Sequence, residues 1–153
     1  MIEASAILPW LWQGSAPPTG PHVARAGFHT LVLCAMEYQP EMHHFPGVEV
    51  IHAPNDDRSD VPPTKEQLLG ALRAARVVTE RVKESKRVLV TCMQGRNRSG
   101  LVSALSLYLL GVKPSAAVDM VKNKRRRRAL SNPRFVEALL RLPAPHPLMG
   151  RLQ

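Results

Sequence analysis

The 153-residue sequence predicts an α/β domain: a central, mostly parallel sheet of four to five strands flanked by helices. Three observations predict it. Short apolar runs alternate with helical patterns along the chain. The run at residues 30–34 is apolar at nearly every position and the strand at 87–91 has an unbroken apolar centre, Val88-Leu89-Val90, as strands covered on both faces do. A strand, a Gly-containing loop and an apolar helix follow one another directly over residues 87–110, and ligands of such folds sit beyond the carboxyl ends of the strands.

The elements follow in order. Trp10-Leu11-Trp12, ending at Gly14, reads as a first strand, and Pro17, Pro18, Gly20 and Pro21 turn the chain. Residues 22–26 form one helical turn stopped by Gly27 in a left-handed cap. Strands follow at 30–34 and 48–53, separated by a polar loop at 37–47 that Pro40 and Pro46 interrupt. Residues 54–60, PNDDRSD, are a loop dense in turn formers and carboxylates. The clearest helix spans 64–84: Thr64 and Gln67 have capping-box spacing, and Leu68, Leu72, Ala75, Val78 and Val82 recur on one face. After the strand at 87–91 come helices at 99–110, 114–124 and 133–142, the last capped by Asn132 with Pro133 in its first turn. The expectation is one domain over residues 1–142 and an irregular tail at 143–153.

Composition narrows the function. The formal net charge is +9, but residues 1–121 carry 12 basic and 11 acidic side chains, and residues 122–153 carry 9 and 1. The basicity therefore belongs to one terminal feature rather than to the whole body. Aromatic residues are only 5% of the chain and none interrupts the basic run at 122–128, which argues against a nucleic-acid partner without excluding one. Cys34 and Cys92 are too few for a disulfide framework and fit a reducing compartment. No signal peptide or membrane-length apolar stretch is recognisable, so the expected location is the cytoplasm.

The junction at 91–100 carries the chemistry: Thr91-Cys92-Met93-Gln94-Gly95-Arg96-Asn97-Arg98-Ser99-Gly100. A loop feeding into a helix points backbone N–H groups at one spot, and the helix dipole adds positive potential there. Gly95 allows a tight turn. Arg98 offers a planar fork for two phosphate oxygens. Cys92 sits at the strand end facing this field, where the thiolate is the reactive form, and Ser99 is placed to hydrogen-bond its sulfur. Residues 93–98 form an anion site with a nucleophile beside it.

Cys92 through Arg98-Ser99 matches the signature loop of the cysteine-based protein tyrosine phosphatase superfamily, and the rest of the chain resembles its compact dual-specificity branch. Residues 7–15, ILPWLWQGS, are similar to that branch's opening strand, and residues 129–135, ALSNPRF, resemble its closing turn and last helix. The resemblance covers about residues 7–142. It implies a phosphatase that hydrolyses phosphate monoesters through a cysteinyl-phosphate, on phosphotyrosine and on phosphoserine or phosphothreonine of proteins. The alternatives are the same chemistry on phosphoinositides, inositol phosphates or RNA 5′-phosphates, or a weakly active anion-binding module.

The family mechanism needs a general acid on a loop before the long helix. Counted from Pro54, Asp57 falls on that position and Asp56 is its rival. No cofactor or metal is implied, and the six histidines are scattered. The chain departs from the family in one place: the residue before the nucleophile, usually histidine, is Thr91. The run Lys122 to Arg128 reads as the solvated end of a helix, within which Arg127 and Arg128 are candidates, by resemblance, for a second anion on an acidic or multiply phosphorylated substrate. Arg96 reads as outward-facing surface if Arg98 points in.

Overall fold

The apolar runs become the middle of the sheet. In the computed structural model, residues 2–145 are described. They contain strands β1 (Ala4–Leu8), β2 (Leu11–Gly14), β3 (Thr30–Ala35), β4 (Glu49–Asn55) and β5 (Val88–Thr91). The helices are α1 (His22–Arg25), α2 (Lys65–Lys83), α3 (Arg98–Leu109), α4 (Pro114–Arg125) and α5 (Pro133–Leu140). Of the tail expected to be irregular, residues 143–145 have no regular structure and residues 146–153 lie outside the described part. No helix among the described residues is long and apolar enough to cross a membrane.

The strand order is β1-β2-β5-β3-β4. Only the β1–β2 pair is antiparallel; β5 runs parallel between β2 and β3, pairing Val88 with Leu11 on one side and with Thr30 on the other. Side chains alternate across the pleat. Val32, Cys34, Val88 and Val90 enter the larger core with α2 to α5. Leu31, Leu33 and Leu89 enter a smaller one with Val23, Phe28, Phe45 and Val48. Both faces are covered, so the central strands lack polar alternation.

β1 is the strand that the sequence reading lacks. Ala4, Ser5 and Ala6 have little strand propensity, and Ile7 is its one fully buried apolar side chain, so no local pattern marks it. It forms because β2 supplies an edge for it to pair with.

The predicted caps of α2 and α1 form, while α5 ends at Leu140, two residues short of its expected end. Thr64 Oγ1 accepts from the Gln67 N–H at 3.1 Å while Gln67 Oε1 accepts from the Thr64 N–H at 2.7 Å, closing the capping box. Gly27, at φ +90°, ends α1 with its N–H on Ala24 O and the Phe28 N–H on Val23 O, a Schellman pair. α3 is buried at 11 of its 12 residues, which makes it a rigid stem for the loop that precedes it. Each fully buried leucine in it, such as Leu101 and Leu107, contributes about 1.5–3 kcal/mol of transfer free energy.

One ion pair ties α2 to the far edge of the sheet. Arg81 donates from Nε and Nη2 to Glu49 at 2.8 and 3.0 Å, and the Thr30 hydroxyl adds a third bond at 2.8 Å. The Arg81 guanidinium pulls the Glu49 carboxyl from 4.5 to about 2. A carboxyl that titrates lower in the folded chain contributes stability that is complete above its unfolded value and is lost as pH falls. The melting temperature should therefore drop between pH 4.5 and pH 2, and Glu49→Gln should flatten that drop. A circular-dichroism melting series across this window checks it.

Candidate active site

β5 ends at Thr91, the chain turns through residues 92–97, and α3 begins at Arg98. Thr91 is buried, its hydroxyl donating to Val32 O at 2.9 Å, so it serves the sheet rather than the loop. Cys92 follows with its sulfur 3.2 Å from the Ser99 hydroxyl.

The loop's backbone is held from outside. Met93 O accepts from the Ala16 N–H at 3.2 Å, and Arg96 O from the Leu130 N–H at 3.1 Å. Gln94 O accepts from Arg125 at 3.1 Å, and Gly95 O from both Arg125 and Gln13 at 3.0 Å. In a trans peptide the carbonyl and the next N–H point to opposite sides. Four outward carbonyls thus turn the amides of Gln94, Gly95, Arg96 and Asn97 inward, a ready-made anion nest. Gly95 is at φ +65°, and a Cβ there would lie 2.5 Å from the Gly14 backbone and from Arg125 Nη2. Only glycine fits.

Arg98 is buried beside this nest. Its Nη1 and Nη2 both pair with Glu37, the second at 3.0 Å, and Nη1 also donates to Asn55 O at 3.1 Å. Its Nε–H and its second Nη2–H have no protein acceptor among the described residues, leaving two donors for a ligand. Burial pulls the Arg98 pKa down, but the bonds to Glu37 together with the nearby charges of Cys92 and Asp57 leave it raised above the ordinary value. The same pair holds the Glu37 carboxyl below its usual range.

Asp57 and Asp56 part company. Asp57 lines the same hollow, of about 320 Å³, as Cys92, Arg98, Glu37 and Ser131. Its Oδ2 accepts from Asn97 Nδ2 at 3.0 Å and its Oδ1 from Asn132 Nδ2 at 2.7 Å. Asn132 also accepts the Arg134 N–H that starts α5, and its own N–H donates to Asn97 Oδ1 at 2.9 Å. Asp56 instead caps its own loop, accepting the Asp57 N–H at 2.9 Å, and faces a separate hollow with Phe135 and Thr64.

The basic run is not uniformly solvated as expected. Arg125 is 1% exposed and belongs to the loop's support, whereas Arg127 and Arg128 are exposed and line a hollow next to Cys92's, shared with Arg96 and Glu3. Arg96 is half-buried and opens onto both hollows rather than facing outward alone. Four supporting residues escaped the sequence reading: Glu3, Gln13, Glu37 and Arg125. Each acts across the chain from its partner, and none sits in a local motif. The one available signal was Glu37, an acidic side chain just past the end of a buried strand. Among the described residues no cluster of His, Cys, Asp and Glu could hold a metal ion.

A thiol at a strand end, an inward amide nest, a buried arginine and an aspartate across the hollow make a site suited to a phosphate group. The family model for the Tyrosine phosphatase family matches residues 25–121, and the chain belongs to that family, in its dual-specificity branch. It is a cysteine-dependent phosphatase that acts through a cysteinyl-phosphate intermediate. Human DUSP28 is 28% identical, with 89% of each chain covered and a TM-score of 0.73. Tk-PTP in its active form is 29% identical over 92% of this chain and 98% of that one, with a TM-score of 0.71. A mouse candidate dual specificity phosphatase, complexed with zinc tungstate, is 27% identical over 89% of this chain and 83% of that one, with a TM-score of 0.74. No curated protein matches the sequence.

Proposed function

We propose that the chain dephosphorylates phosphotyrosine and phosphoserine or phosphothreonine in proteins, with Cys92 as nucleophile and Asp57 as general acid. The Cys92 sulfur attacks phosphorus, forming the S–P bond as the P–O bond to the leaving group breaks. The nest amides and Arg98 hold the equatorial oxygens where charge develops. Asp57 gives its proton to the departing oxygen, then takes one from the water that hydrolyses the cysteinyl-phosphate. Ser99 donates to the sulfur as it leaves.

The observation that carries this reading is the wall of the hollow. Among the described residues it consists of Glu37, Asp57, Ser131 and the loop itself, with no aromatic side chain. A pocket of this kind admits the short phosphoserine arm as well as phosphotyrosine. Arg127 and Arg128 line the hollow next door and, on this proposal, favour acidic or doubly phosphorylated segments.

A second reading has its own observation in Arg96. Its Nε is buried without a protein partner among the described residues, and the side chain bridges the two hollows, which suits a compact ligand with adjacent phosphates such as an inositol phosphate. A turnover panel separates the two, comparing singly and doubly phosphorylated peptides with phosphoinositides and 5′-phosphorylated RNA. The expected result is highest kcat/KM on the peptides. Arg127→Ala with Arg128→Ala should then lower kcat/KM on the doubly phosphorylated peptide by about 10-fold, from loss of two exposed charge-assisted contacts of about 0.7 kcal/mol each, with the singly phosphorylated peptide nearly unchanged. Preference for a lipid or RNA substrate would overturn the protein reading.

A further inference from the structure

We propose that Arg125, held in place by Glu3, is a positioning residue that sets the direction of the Gly95 and Arg96 amides in the phosphate nest. The inference rests on the reading of this loop as the substrate phosphate site.

A guanidinium has five N–H bonds, and Arg125 uses them on five acceptors. Nε donates to Gly95 O at 3.0 Å. Nη2 donates to Gln94 O at 3.1 Å and Glu3 Oε1 at 2.7 Å. Nη1 donates to Glu3 Oε2 at 2.6 Å and Ser5 Oγ at 3.1 Å. The two loop bonds fall on the two carbonyls that the backbone of the fold does not hold. Met93 O and Arg96 O are fixed by main-chain N–H groups of neighbouring segments. Gln94 O has Arg125 as its sole hydrogen-bond partner among the described residues, and Gly95 O shares it with Gln13.

Because each outward carbonyl turns the next amide inward, releasing Gln94 O frees the Gly95 N–H to swing away from the nest. Releasing Gly95 O does the same to the Arg96 N–H. Gly95 lacks a Cβ to resist such a rotation, so the loop's most permissive residue lies where Arg125 holds it.

Glu3 completes the device. The Arg125 side chain is fully buried, and a charge there persists only with a partner. Glu3 is presented by the start of the chain at the edge of β1, and it is fixed in turn by the Ser15 hydroxyl at 2.9 Å. Arg125 draws the Glu3 carboxyl down from 4.5 to about 2, so Glu3 stays a carboxylate throughout the neutral range. The first strand, which lies far from Cys92 in sequence, thereby reaches the phosphate site through one side chain of α4.

The alternative is a tie between β1 and α4 with no bearing on the loop. Arg125→Lys and Glu3→Gln separate the two, read by inorganic phosphate protection of Cys92 from iodoacetamide, by kcat and KM on an aryl phosphate, and by melting temperature. Lysine keeps the charge but cannot span both carbonyls and Glu3. It should weaken phosphate affinity about 10-fold and lower kcat/KM about 10²-fold, as loss of an aligned oxyanion donor does. Glu3→Gln should shift both the same way by a smaller factor. A purely structural tie would lower the melting temperature and leave phosphate affinity at the wild-type value in both variants, and that result overturns the proposal. If Arg125→Lys does not fold, Glu3→Gln decides alone: weaker phosphate protection in the folded variant supports the proposal, and unchanged protection overturns it. Phosphate protection is a binding measurement. Failure of the wild type to turn over any phosphate monoester would therefore count against the proposed function, and unchanged protection in the variants against this inference.

Discussion

Cys92→Ser should abolish turnover of an aryl phosphate, with a loss on the order of 10⁴-fold or more, as removal of a covalent nucleophile produces elsewhere. Nothing else in the hollow can take its place. Glu37 is committed to Arg98 through both oxygens, and Asp57 accepts amide bonds on both of its own. The second cysteine is no substitute. Cys34 is fully buried in β3, and burial pushes its thiol well above the usual range. The nest does not depend on the sulfur, because its carbonyls are held by Ala16, Arg125, Gln13 and Leu130. The serine variant should therefore still bind inorganic phosphate with affinity near that of the wild type while turning nothing over. Cys34→Ser, by contrast, should keep its activity within a few-fold. Activity in Cys92→Ser within 10-fold of the wild type would remove Cys92 from the role of nucleophile.

The two halves of this site were unequally legible in the amino-acid sequence, and the physical reason is range. Cys92, Gly95, Arg98 and Ser99 lie within eight residues at a strand-to-helix junction, so their chemistry and local geometry are written together. The central strands and the capping box of α2 are legible for the same reason: each is a pattern of neighbours. The scaffold that gives the loop its shape is written elsewhere. Glu3 and Arg125 are 122 residues apart, and Glu37 and Arg98 are 61 apart. No spacing rule connects such pairs; they meet because β1 pairs with β2 and because β3 lies beside β5. Arg125 was further concealed by its company. In a run of arginines its charge resembles its neighbours', yet only its burial distinguishes a structural cation from exposed ones. The backbone marks the change: α4 ends at Arg125, and Arg126, Arg127 and Arg128 follow at φ +58°, +44° and +63°. That run of positive φ reverses the chain so that Leu130 and Asn132 reach the loop.

The choice between Asp56 and Asp57, one residue apart, turns on which way the loop faces. Asp57→Asn should lower kcat on a phosphoserine peptide by about 10²–10³-fold, within the range that general acids contribute. An alkoxide is a poor leaving group and needs the proton most; an aryl phosphate with an acidic phenol needs it least. The loss should therefore shrink toward a few-fold as the leaving group becomes more acidic, a trend that loop misplacement alone would not give. Misplacement is a real competitor here. Asp57 takes one amide donor from Asn97 and another from Asn132, and an asparagine in its place offers only one oxygen. One of those donors would then face an NH₂ group, at a cost of about 1–3 kcal/mol for the unmade bond. Such a cost would appear equally on every substrate. Asp56→Asn provides the contrast, because its carboxylate caps the Asp57 N–H and faces the hollow of Phe135 rather than that of Cys92. It should cost only a few-fold on all substrates, without dependence on the leaving group. If the leaving-group trend appears in Asp56→Asn and not in Asp57→Asn, the acid is Asp56, and the loop must rearrange when substrate binds to bring it across.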